Sequence, residues 1–204
     1  MKHTAWIVTA GSGPGARVGV PFLLPALEAV AKACCGEVRE IREEELDTAL
    51  AGAEPGAALL LDASMPLICE EDCRALLSAV EQGAKSAAAR GARDSLPRCV
   101  AVGAPEAGAA VEVPLGEGAL YRVETPEDLA QTLRLLRERK CAELMRAGVF
   151  ILDPEHTYID AGVRVGAGTV VYPNCTLTGG TMVGEGCTLL PNSRLHASTV
   201  GNGT

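Results

Sequence analysis

Two stretches of this 204-residue chain carry residue types suited to chemistry on a phosphate. The first is Ala10-Gly11-Ser12-Gly13-Pro14-Gly15-Ala16-Arg17, which follows the short apolar run Ala5–Ala10. After a strand, the glycines Gly11, Gly13 and Gly15 let backbone N–H groups approach phosphate oxygens, and Arg17 supplies a neutralising charge. The stretch is not a Walker A loop, because no Gly-Lys-Ser/Thr follows, and it does not match G-x-G-x-x-G opening a helix. Glycine also marks turns that hold no ligand, so both readings stay open here. The second stretch is Leu59-Leu60-Leu61-Asp62-Ala63-Ser64-Met65-Pro66-Leu67-Ile68. Asp62 ends an apolar run, and the C-terminal ends of strands are where α/β sheets bind ligands. One carboxylate together with substrate phosphates suffices for Mg²⁺. A helix cap or a surface acid is the competing reading of Asp62.

Other residue types exclude more than they suggest. Net charge is −8 with a sequence pI near 5.0, so no basic face for nucleic acid or an anionic membrane is advertised. Aromatics are 3% of the chain, too few for a base-stacking platform. No apolar run reaches the ~18 residues of a membrane span. The N-terminal Met1–Val8 is too brief for a signal peptide and reads as a first strand. The eight cysteines show no C-x-x-C pair, and a long chain without an export signal points to reduced, mostly buried thiols in a cytoplasmic protein.

The elements that must position these residues follow from the texture of the chain. Ala5–Ala10 and Ala57–Asp62 read as buried parallel strands. Cys99–Gly103, Ala109–Val113 and Ala119–Val123 are further short strand candidates. Pro25–Cys35, ended by Gly36, and Glu70–Gln82, ended by Gly83, fit helices with proline near the start and glycine past the end. Strands alternating with helices imply an α/β sheet. Residues 125–148 predict one long helix: Thr125 is a good N-cap, Pro126 fits the first turn, and Glu127 and Asp128 complement the positive end of the helix dipole. Gly148 ends it.

From Ile159 onward the period is six. An apolar residue recurs at Ile159, Val165, Val171, Leu177, Val183, Leu189 and Leu195. A small or β-branched residue follows each by four, at Val163, Thr169, Cys175, Thr181, Cys187, Ser193 and Thr199. This is a hexapeptide repeat. Three hexads make one triangular coil of a left-handed parallel β-helix, with the apolar and small residues pointing inward. Gly168, Asn174, Gly180, Gly186 and Asn192 fall at the corners, where left-handed backbone angles are needed. After Leu195 the spacing drops to five, bringing Val200 into the apolar slot. Cys175 and Cys187 occupy the small inward slot, which gives them a packing role. The last coil ends on an unpaired edge, so other subunits are expected to cover it, or the chain is a shortened version of something longer.

With these pieces in place a resemblance emerges. The run from Met145 through Gly148, Asp153-Pro154, Thr157-Tyr158-Ile159-Asp160, Tyr172-Pro173-Asn174 and Pro191-Asn192-Ser193 to Gly201–Thr204 resembles the linker and first coils of the bifunctional N-acetylglucosamine-1-phosphate uridyltransferase / glucosamine-1-phosphate N-acetyltransferase family. The likeness is dense over residues 120–204. It implies a trimeric left-handed β-helix behind an α/β pyrophosphorylase domain that uses Mg²⁺. The first 120 residues follow that domain in outline only and are far shorter. The family loop G-x-G-T-R-M stands here as Gly13-Pro14-Gly15-Ala16-Arg17-Val18, and the lysine that follows in the family is missing. The family strand end G-D-V-P-L stands as Ala63-Ser64-Met65-Pro66-Leu67, which puts Ser64 at the metal-binding aspartate and Asp62 two residues earlier. The family G-V-N stands as Arg122-Val123-Glu124, which puts Glu124 at a metal-binding asparagine. The family's acetyl-transfer residues belong to later coils that this sequence does not reach.

The resulting expectation has three parts: a reduced nucleotidyltransferase-like (Rossmann-like) α/β domain at 1–124, a linker helix at 125–148, and a short left-handed β-helix at 149–204. The function expected is sugar-1-phosphate nucleotidyl transfer of the UDP-N-acetylglucosamine pyrophosphorylase type, with reduced activity. Arg17 and the backbone of Gly11, Gly13 and Gly15 would stabilise the transferring phosphate, and Asp62 and Glu124 would hold Mg²⁺. The expected partners are a nucleotide or sugar phosphate and two further copies of the chain, with no nucleic acid and no membrane. Two alternatives stand beside this one. The first is a non-catalytic trimeric homologue that acts as an assembly or regulatory subunit. The second is a hexapeptide acyltransferase with the outward His196 as general base.

Overall fold

The computed structural model describes residues 3–9, 20–42, 45, 48, 58–84, 86–89, 99–102, 111–116, 118, 119 and 121–204, with the backbone alone at 20–22, 88, 89 and 99–102. The chain divides into two compact units, Met1–Ala130 and Gln131–Thr204. No described helix is long and apolar enough to cross a membrane.

The first unit is an α/β sheet. Its strands are β1 (Thr4–Thr9), β2 (Glu37–Arg42), β3 (Ala58–Asp62), β4 (Ser86–Ala89), β5 (Cys99–Val102) and β6 (Val111–Val113), in the order β2-β1-β3-β5-β4-β6. β1 lies parallel to both β2 and β3, as two runs buried by helices require. β5 runs antiparallel to β3 and β4 and so breaks the parallel pattern. Helices α1 (Val20–Cys34) and α2 (Glu70–Glu81) fill the connections. Ala5, Ile7, Leu27, Ala31, Leu59, Leu61, Ile68, Cys73 and Leu76 form the aliphatic core beneath them. α2 begins as its sequence predicts, with three acids in its first turn, and Gly83 beyond its end takes φ +103°.

Three readings of this unit change. α1 starts at Val20, so Pro25 lies inside the helix instead of opening it, and one backbone donor is lost there. Residue 119 lies in a turn and 121–123 carry no strand; Tyr121 N donates to Gly118 O at 3.0 Å, and Val123 N donates to Ser64 O at 2.8 Å. β2 and β4 were not anticipated. β2 is largely exposed and charged (Glu-Val-Arg-Glu-Ile-Arg), and β4 is Ser-Ala-Ala-Ala, so neither carries the apolar alternation that marks a strand.

The long helix α3 (Pro126–Arg146) spans the division between the units. Thr125 N and Oγ1 both donate to Asp128 Oδ2, and Asp128 N donates back to Thr125 Oγ1, a closed capping box. Gly148 follows the helix with φ +91°.

In the second unit, nine strands of two or three residues form three parallel sheets. They are β7 (Phe150–Ile151), β8 (Tyr158–Ile159), β9 (Arg164–Val165), β10 (Val170–Val171), β11 (Thr176–Thr178), β12 (Met182–Val183), β13 (Thr188–Leu189), β14 (Arg194–His196) and β15 (Thr199–Val200). The sheet orders are β13-β10-β7, β14-β11-β8 and β15-β12-β9. Every third strand pairs, so the chain returns to the same sheet after three hexads, as in Tyr158↔Thr176↔Arg194 and Val170↔Thr188. Ile159, Val165, Val171, Leu177, Val183 and Leu189 are buried, as are Val163, Thr169, Cys175, Thr181 and Cys187. Asn174, Asn192 and the glycines at 168, 180 and 186 take positive φ, so the corners fall where the repeat puts them. The slot assigned to Thr199 is corrected. The five-residue step comes before it, Val183 pairs with Val200, and Thr199 is exposed. Ser198 is the residue that follows Thr181 in the small slot, and its N donates toward Thr181 Oγ1 at 3.4 Å.

Candidate functional site

The register of β1 and β3 sets Asp62 beside Val8 at the C-terminal edge of the two parallel strands. Ala63 N donates to Val8 O at 3.0 Å, and Met65 N donates to Asp62 O at 3.0 Å, so the chain turns sharply as it leaves β3. The Asp62 side chain is buried. Its Oδ1 accepts from Ser64 N at 2.8 Å and from Ser64 Oγ at 2.7 Å. A buried carboxylate needs such donors to remain charged. Ser64 thus serves to hold Asp62.

The segment 121–124 closes over this turn through the Val123–Ser64 backbone bond. It brings Arg122 between two acids. Arg122 Nη2 lies 3.9 Å from Asp62 Oδ2, and Arg122 Nη1 lies 3.4 Å from Glu124 Oε1. The Arg122 side chain is mostly covered, whereas that of Glu124 is exposed. A second network anchors the segment. Asp128 accepts from Tyr121 OH at 2.8 Å and from Glu124 N at 3.2 Å, in addition to Thr125. The hydrogen bonds from Thr125 and then Tyr121 pull the Asp128 carboxyl down to about 2, and the same contact raises Tyr121.

Asp62 and Glu124 are therefore brought to one place, as the sequence suggests, but with a guanidinium between them. A Mg²⁺ held by both would sit against that positive charge. The donor set around the pair does not suit the ion that the resemblance implies. Among the described residues, no group of three or more His, Cys, Asp and Glu is placed to hold a metal. Gly11, Gly13, Gly15 and Arg17 lie outside the described residues; in sequence they follow β1. Arg122 is the residue that sequence reasoning missed. Its signal was the arginine standing where the family motif has glycine.

The remaining candidates lie apart from this cluster. His196 is exposed on β14, and its Nδ1 meets Thr178 Oγ1 at 3.0 Å. His156 pairs with Asp153 at 2.8 Å, and His3 pairs with Glu81 at 2.9 Å. Seven of the cysteines are free thiols, four of them buried outright in addition to Cys35. Burial raises Cys34, Cys69, Cys141 and Cys175, and pushes Cys35 up to about 11, which suits packing and not nucleophilic attack.

An α/β sheet with charged residues at its parallel strand ends, joined in sequence to a three-sheet stack of hexapeptide repeats, defines the class of architecture. The particular likeness is to GlmU. The chain is 49% identical over 76 residues to the bifunctional protein GlmU of Geobacillus sp. (strain WCH70), covering 37% of this chain and 17% of that protein. It is 44% identical over 88 residues to GlmU of Carboxydothermus hydrogenoformans, covering 43% and 20%. It is 51% identical over 53 residues to GlmU of Pelobacter propionicus, covering 26% and 12%. The matched stretch thus spans a fifth or less of the length of these curated relatives. No family model matches the chain. Among solved structures, 4-diphosphocytidyl-2C-methyl-D-erythritol synthase from Anaerococcus prevotii aligns with 64% of this chain and 95% of its own, at TM-score 0.44 and 14% identity.

Proposed function

We propose that this chain is a sugar-1-phosphate nucleotidyltransferase-like protein of the UDP-N-acetylglucosamine pyrophosphorylase type, with reduced activity. The observation that carries the reading is the charged cluster Asp62–Arg122–Glu124 at the C-terminal ends of β1 and β3, where α/β sheets bind ligands. The Gly-rich stretch follows β1 in sequence, and the similarity to GlmU supports the same assignment. In the reaction, an oxygen of the sugar phosphate attacks the α-phosphorus of UTP. The bond from that phosphorus to the bridging oxygen breaks, and pyrophosphate leaves with the electron pair. The backbone N–H groups of Gly11, Gly13 and Gly15 and the charge of Arg17 would hold the negative charge on the α-phosphate oxygens. The absent family lysine and the serine at position 64 account for the reduced activity.

Residues 149–204 would wind as a left-handed β-helix and assemble as a homotrimer. Support comes from the three-hexad return of the strands and from Phe150, Leu152, Tyr158, Met182 and Leu190, which are exposed by 48–63%. Large apolar side chains in such number favour a buried contact. The test of activity is pyrophosphate release from UTP and N-acetylglucosamine 1-phosphate in Mg²⁺ buffer. Release above the protein-free blank is expected. No release, together with no nucleotide-induced thermal shift, would remove the reading and leave the assembly role.

A further inference from the structure

We propose that Arg122 is a built-in cation of the strand-end site, and that a nucleoside triphosphate binds there through its guanidinium without a divalent ion held by Asp62 and Glu124. The inference rests on the nucleotide-binding reading above and specifies how that site takes its ligand.

Each acid already has partners. Asp62 Oδ1 accepts two hydrogen bonds from Ser64, and Asp62 Oδ2 faces Arg122 at 3.9 Å. Glu124 Oε1 faces the other end of the same guanidinium at 3.4 Å. A divalent ion requires carboxylate oxygens at about 2.1 Å and a shell of further oxygens. Here the space between the two acids holds a charge of the same sign as the ion. Arginine has no protonation equilibrium that removes that charge in the neutral range. The backbone that carries Arg122 is also held from both sides. The bond from Val123 N to Ser64 O pins the segment to the β3 turn, and the Asp128 network pins it to the start of α3.

Glu124 and Asp62 differ in how firmly they hold Arg122. The Glu124 side chain is 66% exposed, and an exposed ion pair adds little stability. Asp62 is buried and fixed by Ser64. An incoming phosphate therefore displaces Glu124 into water and takes its place on the guanidinium, with the planar fork-to-phosphate geometry that arginine favours. Glu124 becomes a competitor of the ligand, where the family motif makes the equivalent position a metal ligand.

This contrast gives opposite expectations for one surface substitution. UTP is titrated calorimetrically into wild-type protein, Arg122→Met and Glu124→Gln, each in EDTA and in excess Mg²⁺, with circular dichroism melts to verify folding. The proposal expects wild-type affinity in EDTA within about threefold of that in Mg²⁺. It expects Arg122→Met to weaken UTP by about tenfold or more in EDTA, the scale of a charge-assisted pair. It expects Glu124→Gln, a change at an exposed side chain, to tighten UTP. UTP binding that requires Mg²⁺, or weakening by Glu124→Gln, overturns the proposal while leaving the nucleotide reading intact. No UTP binding in either buffer overturns both.

Discussion

Ser64 and Arg122 decide what Asp62 is able to do. The position of Asp62 was legible in the sequence, because an acid that ends a buried apolar run lands at a sheet edge. Its surroundings were not, because Arg122 comes from a segment 60 positions away that reaches the turn after β3 through the bond from Val123 N to Ser64 O. In the repeats, residue-scale reading went further. Inward slots followed from the period until the five-residue step, where Ser198 and not Thr199 continues the small column. Packing between coils also makes Gly166 and Gly184 indispensable by contact alone. A Cβ on Gly166 would stand 2.7 Å from backbone atoms of Gly184 and Glu185, whereas one on Gly162 meets nothing within 4 Å. Gly166→Ala is expected to cost about 1–3 kcal/mol in urea denaturation, and Gly162→Ala to be neutral or slightly stabilising. Equal effects of the two would refute the packing account. Thr169 is fully buried, donates to Gly184 O at 2.8 Å and accepts from Cys187 N at 3.1 Å. Thr169→Val leaves both partners unsatisfied and is expected to destabilise by about 2 kcal/mol in the same assay.

At the scale of elements, local signals were strong where capping or period dominates. Thr125-Pro126-Glu127-Asp128 announced the start of α3, and the structure closes it with a reciprocal box. That box sets a pH dependence. Asp128 titrates near 2 in the folded chain against an ordinary value of 3.8. Its charged form is favoured by folding, so its stabilisation is complete above about pH 4 and is lost as pH falls through about 2. Thermal melts between pH 5 and 2 should show wild-type Tm falling more steeply than that of Asp128→Asn across this window. Parallel slopes would show that the carboxylate is not a stabilising cap. Signals failed where tertiary context overrides them. Pro25 sits inside α1, β2 is a charged strand that only its pairing with β1 reveals, and β4 is a run of alanines. The 119–123 run looked like a strand because of its apolar residues, but Ala119 and Val123 are buried without ladder partners.

At the scale of the molecule, the chain divides into two compact units, with the division falling within α3 in the sequence. The repeat unit was the more legible because each hexad restates the same inward pattern, so an error at one position is corrected by the others. The α/β unit has no such redundancy. Its site draws on β3, the turn after it and the segment before α3, with the Gly-rich stretch next to β1 in sequence. Assembly belongs to this scale as well. If the exposed Phe150, Tyr158 and Met182 pack against other copies, sedimentation at micromolar concentration should give a trimer, and Tyr158→Lys should shift it toward monomer. A wild-type monomer would contradict the assembly reading. The most direct test of the central claim, that the C-terminal edge of β1 and β3 is a nucleotide site, is a crystal structure of the full chain soaked with UTP. The account predicts triphosphate density beside Arg122 and the turn after Asp62. Nucleotide bound elsewhere, or none at saturating UTP, would contradict it.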